Sequence, residues 1–520
     1  MMNRIRNKGP KNRRIGTLAA VALLCLAPQA LIRAQKVAPR YDVVEHRNAW
    51  NAGENVTGIL TDTTSVAYAE AYGHNVHGGF HDANDAGKTW SAGVETKSIT
   101  HLKRLSLIGS FGFDNTSGRE MAGSMFIHPG FYPVDAIEFT PGRKDKQTYA
   151  FMGGIAGEVG SHWRIGGKAE FTSTNYTKRK DIRHTNYRLD FKIAPSVAYH
   201  RGDYTIGLTY LLGKNSETMT AKKIGTAENT PYYAFLDKGL MYGTYGTWDG
   251  SGLHLKETGI NGFPLREVSN GAALQLAWRG AYADVAYSHA SGEAGERESI
   301  WYKFPSDRVS SHLSYHFTIG RSRHFARLNL DWARQTNREA VMNSETANGI
   351  TIVHVYAYNQ IFERKSLTLN PEYELMNRWG EFRIGTEYSI TQSLVTQMYP
   401  YTVSQKLQRS NSYFDVTLHL GRVDLLAAGS FAIGKRTDSD QTLSTDQQAG
   451  EPPYRLTDFY NLQMEYATAS RAALRLGARY NFRIGLYAEA TVEGTHGFNL
   501  RYITGGNNRW NETLRVGYVF

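Results

Sequence analysis

Residues 509–520 read RWNETLRVGYVF. Every second residue gives Trp510, Leu514, Val516, Tyr518 and Phe520, interrupted only by Glu512, while the other set is Asn511, Thr513, Arg515, Gly517 and Val519. This is a period of two, with one greasy face and one mostly polar face, the pattern of a strand whose two sides meet different surroundings. A strand of a soluble sandwich alternates in the same way. The rest of the chain therefore has to say what lies against the greasy face.

The alternation returns from about residue 63 to the end. YTIGLTYLL sets Tyr204, Ile206, Leu208, Tyr210 and Leu212 against Thr205, Gly207 and Thr209, and SHLSYHFTI sets Leu313, Tyr315, Phe317 and Ile319 against His312, Ser314, His316 and Thr318. In ARLNLDW the apolar Leu328, Leu330 and Trp332 oppose Arg327, Asn329 and Asp331. Charge keeps to one parity, and aromatic residues stand at both ends of the apolar face. That is the girdle arrangement of a barrel in a lipid bilayer. Hydrocarbon offers no partner to a backbone N–H or C=O, so only a sheet closed on itself can cross it. The reading is an all-β fold, a transmembrane antiparallel up-and-down β-barrel. Residues 509–520 close it and Phe520 is its interfacial end, similar to the terminal aromatic of outer-membrane proteins.

Tight turns near 101–103, 160–162, 201–203, 279–281, 320–324, 377–380, 421–424 and 481–485 join about sixteen strands, and the outer pair (63–77 and 509–520) makes about eighteen. Weak alternation at 89–100 leaves sixteen or fourteen open. Long polar connections at 116–145, 218–267, 294–308, 338–362 and 436–456 are expected outside the cell, with the tight turns facing the periplasm. In 458–482 the apolar residues Leu462, Met464, Tyr466, Leu474, Leu476, Tyr480 and Phe482 are all even-numbered. One strand projecting far beyond the membrane is preferred there over a hairpin hidden at ATASRAA. The barrel is assigned to 63–520.

The start of the chain addresses the protein. Arg4, Arg6, Lys8, Lys11, Arg13 and Arg14 precede an apolar run from Ile15 to Leu26 and a small residue, Ala34, so residues 1–34 read as a secretory signal peptide. Cys25 lies inside that run, and the mature chain has no cysteine for disulfides, thiolate metal sites or a thiol nucleophile. Removing the seven Lys and Arg of residues 1–34, which carry no acid, takes the formal charge from +11 to +4. No basic footprint for nucleic acid remains. The expected location is the outer membrane of a Gram-negative bacterium, after signal cleavage. Residues 35–62 do not alternate and read as a periplasmic or lumen-entering segment.

With a signal ending in AQ, the segment RNAWNAGENVTGIL, the alternating strands and a terminal VGYVF, the chain resembles an uncharacterised family of Bacteroidota outer-membrane β-barrels. It is more faintly similar to the long-chain fatty-acid transporters and to barrels of secretion machinery. The fatty-acid transporters carry an Asn-Pro-Ala type motif where this chain has NVTGIL, without the proline.

Taking the apolar set outward places Arg327, Asn329, Asp331, Glu372, Glu374, Arg383, Glu387, Arg475, Arg479, Glu489 and Glu493 on the lumen lining. Opposite charges on neighbouring strands, Arg475 and Arg479 facing Glu489 and Glu493, and Glu372 and Glu374 facing Arg383 and Glu387, brace a polar wall or line a solute path. The 218–267 connection carries Tyr232, Tyr233, Phe235, Tyr242, Tyr245 and Trp248, which suit either a plug or an adhesive outer surface. Pro195 and Pro371 fall within strand patterns, where a missing donor marks a bulge, a strand end or a covered site.

His74, His77 and His81 are spaced for opposite faces of a strand, so no metal site or other cofactor is assigned. DANDAG (82–87) lacks the later ligands of a calcium loop and reads as a turn. His289 and Ser291 of YSHASGE lie at a loop entrance without an evident orienting acid, so a non-enzymatic protein is expected.

The functional expectation is a channel or transporter for a small solute. A scaffold barrel in a multi-protein outer-membrane machine is the alternative, and an outer-membrane hydrolase is third. The implied partners are outer-membrane lipid, periplasmic chaperones and the barrel-assembly machinery during biogenesis, and other outer-membrane proteins or surface lipoproteins.

Overall fold

The structure, a computed structural model, describes residues 41–520 except 181, 223–232, 248–262, 297–298, 348–349, 399–400 and 439–455. After a short helix α1 (Tyr41–Arg47) and two 3-10 turns (Ala49–Ala52 and Val56–Thr61) come β1 (Val66–Gly78), β2 (Lys88–His101), β3 (Leu105–Ser124), β4 (Asp135–Val159), β5 (Trp163–Lys178), β6 (Arg183–Arg201) and β7 (Tyr204–Lys222). A small hairpin, β8 (Tyr233–Asp237) and β9 (Gly243–Thr247), precedes β10 (Phe263–Trp278), β11 (Ala281–Glu296), β12 (Ser299–Ile319), β13 (Ser322–Ala347) and β14 (Ile350–Asn377). Then follow β15 (Gly380–Met398), β16 (Tyr401–Leu420), β17 (Val423–Asp438), helix α2 (Leu456–Thr468), β18 (Arg471–Asn481), β19 (Leu486–Gly497) and β20 (Asn508–Val519).

Each strand pairs antiparallel with the next, β7 pairs with β10 across the inserted hairpin, and β20 returns to β1 from Val519↔Tyr68 to Arg509↔Gly78. The sheet is thus a closed barrel of eighteen strands. The final stretch closes it, and the Phe520 N–H donates to the Ala67 carbonyl at 2.8 Å. The eight tight turns lie at one end, where Gly202 and Gly421 adopt φ of +60° and +69°, a region L side chains avoid.

Outward, Leu208, Leu276, Leu476 and Val516 are exposed apolar side chains, with Trp163, Tyr204 and Trp278 near the turns and Tyr187, Tyr210 and Tyr287 farther up. Leu476 is 55% exposed, a position that water penalises and lipid does not. Pro195 and Pro371 interrupt the ladders of β6 with β7 and of β14 with β15, as their missing N–H requires.

Three sequence expectations are corrected. The stretch from Leu456 to Thr468 is helical: Leu456, Phe459, Tyr460 and Met464 share one face at helical spacing and pack on Ile137, Phe139 and Phe235. The even parity of Leu462, Met464 and Tyr466 is incidental to it. The described residues of the connections expected at 294–308 and 338–362, all but 297–298 and 348–349, are strand, because β11–β14 run on past the length a bilayer needs, and 116–145 narrows to 125–134. Outside the hydrocarbon no force keeps one face apolar, and the alternation fades there.

The candidate site: an occupied lumen

The polar parity of the wall faces segments of the protein itself. At the turn end, residues 41–64 touch strands around much of the barrel. The His46 carbonyl accepts from Arg327 on β13 at 3.2 Å, Trp50 packs on Tyr282 of β11 at 5.0 Å, and Glu54 meets Lys192 of β6 through both oxygens at 2.7 Å. Only a segment inside the barrel can reach these strands at once.

Its fold follows from its sequence. Asn48 caps the first 3-10 turn through the Trp50 N–H, and Asn55 caps the second through the Thr57 N–H. The Asn55 amide donates outward to the Val197 carbonyl at 3.2 Å and to Gln275 at 3.0 Å. Gln275 in turn donates to Asp284 at 2.9 Å, and Asp284 also accepts the Glu54 N–H at 3.2 Å. Glycines make the room: a Cβ at Gly154 or Gly166 would meet Val56 at 2.9 or 2.8 Å, and one at Gly207 would meet the Asn55 amide at 2.7 Å. Arg47 and Asp62 close the segment at 3.2 Å. Against the cost of partial burial, hydrogen bonds from Thr64 and the Arg47 charge hold the Asp62 carboxyl below its ordinary range.

The loop end is filled differently. Residues 125–134 turn inward and join wall residues in a cluster that includes Met125, Phe126, Tyr132, Phe263, Tyr302, Phe304 and Phe362. The β8–β9 hairpin adds to the sheet at β4, with Asp135 opposite Asp237, and its Phe235 is fully buried against α2. Beneath them Glu138 bridges Lys144 and Lys178, at 3.2 and 2.5 Å, with all three side chains out of solvent.

Of the loop aromatics, Phe235 and Tyr242 thus belong to the packed interior rather than an outer surface, and the Tyr245 backbone pairs with Phe235. Tyr233 begins the hairpin. Tyr232 and Trp248 lie outside the described residues.

The wall residues singled out in the sequence lie on the parity opposite the exposed apolar set, with some partners other than expected. Arg479 meets Glu489 at 2.8 Å, whereas Arg475, opposite Glu493 in register, bonds Asp415 two strands away at 2.7 Å. Glu372 and Glu374 both bind Arg327 instead of Arg383, while Arg383 stands opposite Glu374 in register. Glu387 pairs in register with Asn411 of β16. Asn329 bonds His312, and Asp331 bonds Arg308. Several opposite charges lie within diagonal reach in a barrel wall, so the partner is set by stagger and not by the nearest turn.

The sequence reading missed Trp50, Glu54, Asn55, Lys168, Lys192, Gln275 and Asp284. Its available signal was the run of capping asparagines in RNAWNAGENV and the glycines on the polar parity. His74 bonds Thr513 at 2.9 Å and His81 the Asp82 carbonyl at 2.8 Å. The Asn84 N–H donates to the Asp82 side chain at 2.9 Å in the turn at DANDAG.

Between the two fillings lies a chamber of about 270 Å³ lined by Glu170, Arg188, Asp190, Lys192 and Glu267, with Phe131 stacked 4.2 Å from the Arg188 guanidinium. Arg188 is committed to Asp190 through two bonds of 2.8 and 2.9 Å. Glu267 makes no hydrogen bond or ion pair among the described residues.

These features define a closed barrel of the outer-membrane type whose interior is occupied by its own chain. The chain belongs to DUF6850, a family of unknown function, which it matches over residues 56–520. No curated protein matches it. Among solved structures it is similar to CdiB from Acinetobacter baumannii at 8% identity and a TM-score of 0.35, over 87% of this chain; it spans 60% of CdiB's length. It is similar to the copper transporter OprC at 7% identity and a TM-score of 0.38, over 88% of this chain and 80% of that one. With P. aeruginosa FpvA bound to pyoverdines the identity is 9% and the TM-score 0.39, over 88% and 72%.

Proposed function

We propose that the protein is a gated transporter for a small polar solute, located in the outer membrane of a Gram-negative bacterium. The observation that carries this reading is a charged chamber in the lumen between two of the chain's own segments. A barrel serving only as a wall has no use for a carboxylate without a hydrogen bond or ion pair among the described residues in such a chamber, whereas a solute bearing a cationic group would be held by Glu267. The turn-end segment is the movable seal: beside the apolar contacts of Tyr41, Val44, Val56 and Ile59, it holds the wall through hydrogen bonds and ion pairs that water can replace. The full protein reconstituted in planar bilayers is expected to be silent, and deletion of residues 41–62 to open a conductance. A deletion variant that folds, shown by heat-modifiable migration, and stays silent would sink the reading.

One observation favours a second reading, a barrel that works with a protein partner. The β13–β14 hairpin rises beyond the rest of the wall, and between 352 and 360 most side chains on both of its faces are exposed, with Tyr356 67% exposed. A two-sided apolar strand of this kind is a docking feature. Native purification with identification of bound proteins separates the two readings.

A further inference from the structure

The outer wall carries a feature that solute passage does not use. On β11 the residues Tyr287, His289 and Ser291 share the outward parity, and Asp307 of β12 stands opposite His289 in register. His289 Nδ1 lies 2.9 Å from Asp307 Oδ1, and the Tyr287 hydroxyl donates to the same oxygen at 2.9 Å. His289 and Asp307 are 49% and 34% exposed, and Ser291 is exposed with no hydrogen bond among the described residues.

The register fixes the height of this cluster. From Trp278↔Ala281 at the turn to Val268↔Ser291 is ten residues. At about 3.4 Å per residue and a tilt of about 40° that is roughly 26 Å, close to the full apolar band of such a barrel. Ser291 and His289 therefore stand at the far edge of the hydrocarbon, level with the ester groups of the outer leaflet.

We propose that Ser291, His289 and Asp307 form a hydrolytic triad on the outer face of the barrel that cleaves acyl esters of outer-leaflet lipids. Asp307 holds the imidazole through Nδ1 and fixes its tautomer, which leaves Nε2 as the open nitrogen on the face that Ser291 shares. His289 and Ser291 are two residues apart, about 6.8 Å along the strand, a span bridged by an imidazole and a hydroxyl turned toward each other. Ser291 Oγ attacks the ester carbonyl carbon while its proton passes to His289 Nε2. The bond from that carbon to the glycerol oxygen breaks, and His289 returns the proton to the leaving alkoxide. Water then attacks the acyl-serine, gives a proton to His289, and releases the fatty acid as Ser291 is reprotonated. Asn270 of β10 pairs in register with His289, and its side-chain oxygen accepts from the Tyr210 hydroxyl at 2.8 Å. Its amide N–H groups remain to bind the carbonyl oxygen as charge develops there.

The test uses full-length protein folded in detergent, with dioleoylphosphatidylethanolamine in mixed micelles, release of oleate as the readout and a fluorophosphonate as the serine probe. The wild type is expected to release oleate and to be labelled at Ser291. Ser291→Ala and His289→Gln bring release to background, and Asp307→Asn lowers kcat by about 10²–10⁴-fold with little change in KM. Heat-modifiable migration identifies the folded variants. A wild type without oleate release, release that survives Ser291→Ala, or a folded Asp307→Asn variant with unchanged kcat would each overturn the proposal. The barrel's conductance plays no part in this assay, so it stands or falls separately from transport.

Discussion

At the loop end the lumen is filled by Phe126, Tyr132, Phe263, Tyr302, Phe304 and Phe362, all but removed from solvent, and by a carboxylate held between two buried lysines. At the turn end it is filled by a segment that combines amides and a half-buried glutamate with the apolar side chains Tyr41, Val44, Trp50, Val56 and Ile59, seated partly against glycines. Moving the first filling would expose aromatic surface at about 25 cal/mol per Å² and strand buried charges. Moving the second exposes fewer apolar side chains, Tyr41, Val44, Trp50, Val56 and Ile59, strands no fully buried charge, and otherwise exchanges protein hydrogen bonds for bonds to water, at about 0.5–1.5 kcal/mol each. The loop-end filling, with the larger apolar cluster and the buried lysines, is therefore the harder to move, and the turn-end filling is the door.

The largest effects should come from breaking the core. Phe235→Ala is expected to cost about 3–5 kcal/mol, and Glu138→Gln, which leaves Lys144 and Lys178 without their carboxylate, about 3–5 kcal/mol. The wall keeps its pairing in both variants, so the loss should appear as protease cleavage within the β8–β9 hairpin while migration on a gel stays barrel-like. Cleavage no faster than in the wild type would mean that the hairpin is not held by this packing.

A smaller effect should follow from pH. Burial pushes the Asp237 carboxyl up to about 7, against the amides of Gly239 and Met241 and the Arg364 charge. Asp135 faces it across the β4–β8 pairing. Because the folded value lies above the unfolded one, the docked hairpin takes up protons that the free one releases. Its stability is full near pH 4 and falls as the pH rises to about 7. Burial pushes the Asp135 carboxyl up as well, to about 8, so protection of the hairpin from protease should weaken from pH 5 to pH 8 and Asp237→Asn should lessen that dependence, leaving the part due to Asp135. A wild-type profile no steeper than the variant's would show that Asp237 is charged throughout.

The same contrast explains what the sequence could tell. The strands and the tight turns were legible because lipid on one side and water on the other impose a period of two on every crossing. Inside the lumen no such rule applies. Leu462, Met464 and Tyr466 looked like one more strand because a helix that packs on a curved wall can place residues on any parity. The spacing of Leu456, Phe459, Tyr460 and Met464 was the counter-signal. Arg327 could not be matched to Glu372 and Glu374 from sequence, since the choice among several carboxylates depends on stagger. Asp307 was invisible as a partner for His289 for a related reason: the two are eighteen residues apart and meet only through the β11–β12 register.

The smallest effect should come from the door, and it bears most directly on transport. Glu54 is 26% exposed and meets Lys192, 33% exposed, at 2.7 Å, with Lys168 at 3.7 Å and itself paired to Glu170 at 2.8 Å. With solvent this close, Glu54→Gln should cost about 1 kcal/mol or less, too little to disturb the barrel and enough to raise the open population of the seal up to about fivefold. The variant should show brief openings in planar bilayers where the wild type shows none, and high salt should raise openings in the wild type more than in the variant, because it screens the ion pair the variant lacks. Lys192→Gln should behave like Glu54→Gln, and the two together should add little to either alone, since both remove the same bond. If Glu54→Gln stays silent while deletion of residues 41–62 conducts, the segment is held by Asn55 and Trp50 rather than by charge, and the door has a different latch.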